Sequence, residues 1–152
     1  MDPDSRKLSK TDRAFFNSAR AVSKLSDHHY KLGCVVVDRH RIISSGFNSK
    51  TKCHRVQAVL DEEFFGRATR GSEHAEVAAL LPLIRRRADL SGATVYVYRE
   101  DRFGRLAMAR PCPRCMSLLL RLGVRKIKYT TPLGFAAERI GPTEKIRKNV
   151  DF

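Results

Sequence analysis

Two short stretches of the chain contain the residue types that can bind a transition metal. Residues 74–76 read His-Ala-Glu, and residues 111–115 read Pro-Cys-Pro-Arg-Cys. Zinc binds thiolate sulfur and imidazole nitrogen, and a catalytic zinc keeps three protein ligands and leaves the fourth position open for water. We predict that His74, Cys112 and Cys115 are three such ligands and that the cofactor is Zn²⁺.

A carboxylate accompanies these ligands. Glu76 lies two residues after the histidine. At 3.6 residues per helical turn, side chains two positions apart point in different directions, so Glu76 is poorly placed to share the metal as a ligand. It is well placed to approach a water or substrate beside the metal. We therefore predict that Glu76 is the catalytic general acid/base.

Two other interpretations of the same residues stay open. A closed structural zinc site needs a fourth ligand, and Cys34, Cys53 or His54 would supply one. The spacing would also arise without any metal, and Cys53 with His54 would suit a second, structural zinc. We favour the open site because Glu76 and Pro111 are present although zinc ligation alone does not need them.

Each of the two stretches is predicted to open a helix. Ser72 precedes an apolar-periodic run and suits the N-cap, with Glu73 and Glu76 in the first turn. Cys112 opens the second helix, and Pro113 suits its first position. A helix N-terminus favours the thiolate form of cysteine, which is the form that binds metal.

The surrounding pattern alternates helices and strands. We predict a helix over 10–27, then a hairpin of two strands, a helix after residue 74, a strand, a helix after residue 112 and a last strand. The strands are expected over 32–37, 41–47, 93–98 and 124–129. This alternation indicates a mixed sheet with helices on both faces.

The connection over 49–72 is basic and breaks the regular pattern. We expect it to form a lid or rim beside the metal site. Within it, 56–65 is predicted to be a short helix with its apolar residues inward. These residues are Val59, Leu60, Phe64 and Phe65.

Length and composition limit the protein class. The 152 residues suit one domain, with a core over about 10–131 and a tail over 132–152. No apolar run reaches membrane-spanning length, and the first residues lack the apolar centre of a signal peptide. Four cysteines do not suggest a disulfide scaffold, so we expect a reducing cytoplasm.

The chain is strongly basic. Lys and Arg number 30 against 16 Asp and Glu, a formal net charge of +14. Such an excess favours polyanions, including RNA or single-stranded DNA, and it also fits a phosphorylated small substrate. A generally basic surface without a specific partner is the simplest alternative.

The two metal-binding stretches resemble those of the cytidine deaminase superfamily, and most closely its deoxycytidylate deaminase branch, which includes phage-encoded members. Gly46, Phe47 and Asn48 are similar to a Gly-Tyr-Asn segment of that branch. The resemblance implies a three-layer α/β/α sandwich around a mixed five-stranded sheet. A fifth strand is not evident in the tail.

The resemblance also implies an activity, the hydrolytic deamination of dCMP to dUMP with release of ammonia. Asn48 would then orient the sugar, and the backbone of Ala75 would hold the pyrimidine carbonyl. A 5′-phosphate needs a cation, for which the candidates are Lys50, Lys52, Arg55 and Arg110. Family members often form homo-oligomers, which we expect here too.

Two alternative functions remain. The first is a deaminase acting on a cytosine or adenine base within RNA or single-stranded DNA, with the 49–72 connection in the strand groove; the high net charge favours it. The second is a non-catalytic zinc module that binds nucleic acid, for which Glu76 would have no use.

Overall fold

A mixed sheet of five strands forms the centre of the computed structural model, which describes residues 8–66 and 73–141. The strands are β1 (Leu32–Asp38), β2 (Arg41–Phe47), β3 (Thr94–Arg99), β4 (Lys126–Thr131) and β5 (Gly134–Arg139). Their spatial order is β2-β1-β3-β4-β5; β3 and β4 run parallel, and the other neighbours run antiparallel. The predicted five-stranded mixed sheet is confirmed.

Helices cover both faces of this sheet. They are α1 (Lys10–Ser23), α2 (Arg55–Phe65), α3 (Ala75–Arg85) and α4 (Pro113–Arg121). Successive strand residues point to opposite faces, so Val35 packs with α1 whereas Val36 packs with the cluster that contains α3 and α4. The predicted α/β/α layering is therefore confirmed. None of the described helices has the length and apolarity needed to cross a bilayer.

The fifth strand lies in a segment without a clear strand pattern in its sequence. β5 pairs antiparallel with β4 at one edge of the sheet, inside the segment expected to be a tail. Its residues alternate between half-buried and exposed, because an edge strand needs only one covered face and shows a weak apolar pattern. Residues 142–152 lie outside the described part of the chain.

Helix α1 is shorter than predicted. It begins after Ser9, whose hydroxyl accepts the Asp12 N–H as a predicted cap, and it ends at Ser23. Beyond that point Ser26 turns inward and its hydroxyl lies 2.7 Å from Asn48 Oδ1. Leu25, which was expected to face the core, is therefore 66% exposed.

Helix α2 presents a different face from the predicted one. Leu60 is buried as expected, but Phe64 and Phe65 are 43% and 57% exposed, and Val59 is exposed as well. The inward residues beside Leu60 are polar, namely Gln57 and Asp61, both fully buried. The helix turns this polar pair toward the metal-binding residues, which leaves its aromatic residues outside.

Gly46 allows β2 to pass directly against α3. A Cβ atom at this position would lie 2.4 Å from the backbone nitrogen of Ala79 and 2.8 Å from the carbonyl oxygen of Ala75. The hydroxyl of Ser44 donates to the Ala79 carbonyl at 2.5 Å in the same contact. The close neighbour of this backbone is therefore the helix that carries Glu76.

Gly46→Ala is expected to lower the free energy of unfolding by about 1–3 kcal/mol, because overpacking against a backbone forces β2 and α3 apart. For a chain of this length each kcal/mol lowers Tm by about 2–4 °C, which thermal unfolding followed by circular dichroism measures. Gly92→Ala is the control, since its new Cβ meets only Asp38 Oδ1, at 3.5 Å. Equal Tm values for the two variants would contradict the prediction.

Candidate active site

Two helix N-termini bring the predicted metal ligands together. His74 is the N-cap residue of α3, Cys112 is the N-cap residue of α4, and Cys115 lies in the first turn of α4. Nδ1 of His74 lies 3.5 Å from Sγ of Cys112 and 3.3 Å from Sγ of Cys115. All three ligand atoms lie within 4.8 Å of one another.

These separations fit a tetrahedral zinc site. With Zn–N near 2.0–2.1 Å and Zn–S near 2.3 Å, tetrahedral ligands place nitrogen and sulfur about 3.5 Å apart. The donor set is the one that zinc prefers. Among the described residues no fourth His, Cys, Asp or Glu joins the cluster, so Cys34, Cys53 and His54 do not close it.

The two thiols have opposite pKa shifts. A hydrogen bond from Cys115 lowers the pKa of Cys112 to about 3, against the effect of burial and with further help from His74. The same hydrogen bond, together with burial and the nearby Glu76, raises the pKa of Cys115. One sulfur is therefore already a thiolate, and metal binding must displace the proton of the other.

Glu76 stands beside the metal-binding cluster and is not a member of it. Its side chain is almost fully buried and lines the same pocket as His74 and Cys112. Burial raises the pKa of Glu76, although the charge of His74 opposes this effect. A carboxylate so placed can take up and release a proton beside the metal-binding cluster.

The start of α3 differs from the prediction. Ser72 lies outside the described residues, and the N-cap position belongs to His74. Glu73 precedes the helix: it pairs with Ser49 in an isolated β-bridge, and its Oε1 accepts the His54 N–H at 3.1 Å. The other carboxylate oxygen of Glu73, Oε2, lies 3.5 Å from Nε2 of His54. Cys53 and His54 belong to no three-ligand cluster of the described chain.

A buried network of hydrogen bonds joins His74 to helix α2. Gln57 Oε1 accepts the backbone N–H of His74 at 3.0 Å, and Gln57 Nε2 donates to Asp61 Oδ1 at 3.0 Å. Arg114 pairs with Asp61 at 2.5 Å, and its Nη2 lies 3.3 Å from Nε2 of His74. The bond from the His74 N–H to Gln57 fixes the backbone of this ligand, whereas Arg114 only lies beside the ring, because its Nη2 and the Nε2–H of an imidazole that binds metal through Nδ1 are both donors. Gln57 and Asp61 were not predicted as site residues, although their i, i+4 spacing on α2 indicates two side chains on the same helix face.

A pocket of about 340 Å³ opens over this cluster, within the size range of small-molecule sites. Three of the predicted substrate contacts line it, namely Asn48, Ala75 and Arg110, whereas Lys50, Lys52 and Arg55 are not among its lining residues. The other half of the pocket wall was not predicted from the sequence. It consists of His28, Tyr30, Leu32, Arg99, Met108 and Ala109.

Asn48 is buried and holds the pocket wall in place. Its Oδ1 accepts the Leu32 N–H at 2.8 Å, and its Nδ2 donates to the Tyr30 carbonyl at 2.5 Å. These bonds fix the segment that enters β1 against the end of β2. Asn48 therefore determines where Tyr30 stands in the pocket.

The two arginines of the pocket differ in their partners. Arg110 forms two hydrogen bonds with Glu138, at 2.7 and 3.1 Å. The guanidinium of Arg99 instead stacks on Tyr30 with 4.7 Å to the ring centroid, and its buried Nε has no hydrogen-bond partner within residues 8–66 and 73–141. Arg99 is the last residue of β3, a place where α/β sheets bind ligands, and that position was a signal in the sequence.

Comparison with known proteins agrees with this geometry. The family described as the cytidine and deoxycytidylate deaminase zinc-binding region matches residues 9–131. A deoxycytidylate deaminase of Mycobacterium phage D29 is 33% identical over 132 residues, which cover 78% of this chain and 92% of that protein. The family match confirms the predicted zinc cofactor.

Solved structures share the fold. Cytidine deaminase from Burkholderia pseudomallei has a TM-score of 0.59 at 15% identity, covering 84% of this chain and 91% of that one. The dCMP deaminase of cyanophage S-TIM5, solved in complex with dCMP and dUMP, has a TM-score of 0.53 at 20% identity, covering 85% and 82%. These comparisons favour an enzyme over the alternative of a non-catalytic zinc module that binds nucleic acid. The chain belongs to the family of cytidine and deoxycytidylate deaminases and is an enzyme of the deaminase type.

Proposed function

We propose that this enzyme deaminates dCMP to dUMP with release of ammonia. The observation that carries the proposal is the guanidinium of Arg99, which forms no ion pair with the described residues and lines the pocket that also contains Glu76 and the metal-binding cluster. Such a pocket offers a cation for a phosphate and a proton carrier for the base. The phage relative named deoxycytidylate deaminase supports the same substrate.

In this proposal His74, Cys112 and Cys115 hold the zinc. Zinc bound there would act as a Lewis acid and would lower the pKa of a water in the open fourth position. The thiolate of Cys112 is already available, because its pKa is far below its ordinary value. With a neutral imidazole and two thiolates, the ligands balance the charge of the ion.

Glu76 carries the protons of the reaction. Its carboxylate takes a proton from the attacking water and delivers it to N3 of the cytosine ring, which makes C4 electrophilic. Addition of the water oxygen at C4 gives a tetrahedral intermediate. Glu76 then takes the proton of the new C4 hydroxyl and passes it to the amino group, and ammonia leaves as the carbonyl of uracil forms. Burial of Glu76 keeps bulk water away from this transfer.

We propose further that Ala75 and Asn48 position the nucleoside and that Arg99 binds its phosphate. Arg110 lines the same pocket, but Glu138 already occupies its guanidinium. Arg99 makes one long hydrogen bond, 3.4 Å from Nη1 to the Met108 carbonyl, and its Nη2 group forms no hydrogen bond to a described residue, so this group can donate to a ligand. Its stacking on Tyr30 holds the guanidinium in place.

Arg99→Gln is expected to lower kcat/KM for dCMP by about 10- to 150-fold, because a hydrogen bond to a charged group contributes about 1.5–3 kcal/mol. Most of the change should appear in KM, since the phosphate is remote from the reacting carbon. Turnover of deoxycytidine, which has no phosphate, should change little. Ammonia release measured with both substrates gives the comparison.

Arg110→Gln is the matched control, because it removes a guanidinium that lines the same pocket but is paired with Glu138. It should affect dCMP turnover much less than Arg99→Gln. An Arg99→Gln enzyme that loses activity equally on dCMP and deoxycytidine would show that Arg99 does not bind the phosphate. An enzyme inactive on both substrates but active on other cytosine derivatives would contradict the proposed substrate.

A further inference from the structure

A second cavity adjoins the active-site pocket and shares two residues with it. We call it the hairpin groove; its volume is about 580 Å³. The shared residues are Tyr30 and Arg99. Its outer wall is the turn after β3, which the Glu100–Leu106 bridge and an Asp101 N–H to Arg105 carbonyl bond at 2.7 Å hold closed. A ligand lying in the groove therefore reaches the pocket.

Two exposed aromatic rings stand in this groove. Phe103 at the tip of the turn is 68% exposed and belongs to neither apolar cluster of the described chain. Tyr30 is 60% exposed at the boundary with the pocket. The backbone N–H of Phe103 donates to Asp101 Oδ1 at 2.9 Å, so the turn holds the ring outward. Packing of the core does not account for such a placement of Phe103.

Arginines flank both rings. The guanidinium carbons of Arg102 and Arg105 lie 4.9 and 5.1 Å from the centroid of Phe103, and that of Arg99 lies 4.7 Å from the centroid of Tyr30. These guanidinium groups lie over the rings and form cation–π pairs with them, and the planar guanidinium of such a pair is itself a surface on which a base can stack while its N–H groups reach a phosphate.

The acidic residues of the groove are already neutralised. Glu100 pairs with Arg20 and Lys24, and Asp101 pairs with Arg105. Arg99 and Arg102 form no ion pair with a carboxylate of the described chain. Lys24 and Lys31 line the adjoining surface cavity together with Arg102, and the whole chain carries a formal charge of +14. The groove therefore favours an anionic ligand.

We infer that the hairpin groove binds single-stranded nucleic acid, with bases stacked on the arginine–aromatic pairs at Phe103 and Tyr30 and phosphates on the N–H groups of the same arginines. Single strands expose the flat faces of their bases, whereas a duplex hides them, so exposed rings with flanking guanidinium groups select the former. The inference goes beyond mononucleotide deamination and does not rest on it, because binding requires no turnover. It also places the strand on the 100–106 turn rather than on the 49–72 connection.

The test measures fluorescence anisotropy of a labelled oligothymidylate of about 16–20 nucleotides with the zinc-loaded enzyme. This strand contains no cytosine, so deamination does not interfere. The wild-type chain should bind it, and the affinity should fall steeply between about 50 and 200 mM salt because counterions are released from the phosphates. A duplex of the same length should bind more weakly.

Phe103→Ala should weaken binding by about fivefold or more, the effect of losing one stacked base. Arg102→Ala should reduce the slope of log affinity against log salt by about 0.7, the contribution of one phosphate contact on a single strand. Matched controls are Phe64→Ala, which removes an exposed ring from α2, and Arg85→Ala, which removes an exposed charge at the end of α3.

Three results would overturn the inference. They are the absence of salt-dependent binding by the wild-type chain, unchanged affinity in Phe103→Ala, and an equal loss in Phe64→Ala. The last result would place the strand on α2. Because Phe103 is exposed and outside the apolar clusters, its replacement leaves the fold and the turnover of mononucleotides intact, so failure of the inference is distinct from failure of the proposed substrate.

Discussion

Glu76→Gln is expected to lower kcat by about 10²–10⁴-fold while zinc stays bound. The amide keeps the size of the carboxylate but cannot accept a proton from water or return one to the leaving amine. Because Glu76 is outside the metal-binding cluster, its replacement removes no ligand. Steady-state ammonia release gives the loss of turnover, and atomic absorption of the purified variant gives its zinc content.

The control for this variant is Glu62→Gln, which makes the same chemical change at an exposed position of α2. Its turnover should equal that of the wild type. If Glu76→Gln retained full activity, Glu76 would have no part in proton transfer. If it lost zinc along with activity, the carboxylate would be a ligand, and the open fourth position would be wrong.

Cys112→Ala is expected to remove zinc and all measurable deamination together. The wild-type enzyme should contain about one zinc per chain, and the variant close to none, because His74 and Cys115 alone leave the ion with two protein ligands. Since metal binding and folding are linked, the variant should also unfold at a lower temperature. Chelator competition measures the affinity, and thermal unfolding in the presence and absence of added zinc measures the linkage.

Cys53→Ser is the matched control, since Cys53 is exposed and outside the cluster. It should keep both zinc and activity, which would also exclude a second zinc on Cys53 and His54. A Cys112→Ala protein that held zinc with wild-type affinity would show that the ligand set is misassigned. A Cys53→Ser protein with half the zinc of the wild type would point to two sites.

The residues that carry the chemistry could be predicted because their signal is local. Cys112 and Cys115 are one helical turn apart, and Glu76 follows His74 closely, so their relative positions depend on helix geometry alone. Strands β1 and β3 were equally accessible, since their apolar runs reflect burial on both faces. The edge strand β2 could be predicted because a short turn joins it to β1 in a hairpin. The edge strand β5 has no apolar run and was not predicted.

The identity of the phosphate-binding group depends on neighbours that are distant in sequence. Arg110 was a candidate cation for a 5′-phosphate, yet its guanidinium is paired with Glu138 of β5. Arg99 was not a candidate, and its proposed role rests on its buried Nε, which has no hydrogen-bond partner among the described residues. A sequence records which charges exist but not which of them neutralise one another.

The buried face of α2 was predicted wrongly for the same reason, because it depends on partners that are distant in sequence. Its apolar residues predicted an inward aromatic face, whereas Gln57 and Asp61 are the buried ones because His74 and Arg114 need hydrogen-bond partners there. The candidate metal ligands, the candidate acid/base and the layered sheet were predictable from the sequence, since they follow from residue type and short spacing. Which cations face the pocket, which face of α2 is buried and where the aromatic groove opens became evident only in the folded chain, because those properties arise from pairing between segments far apart in the chain.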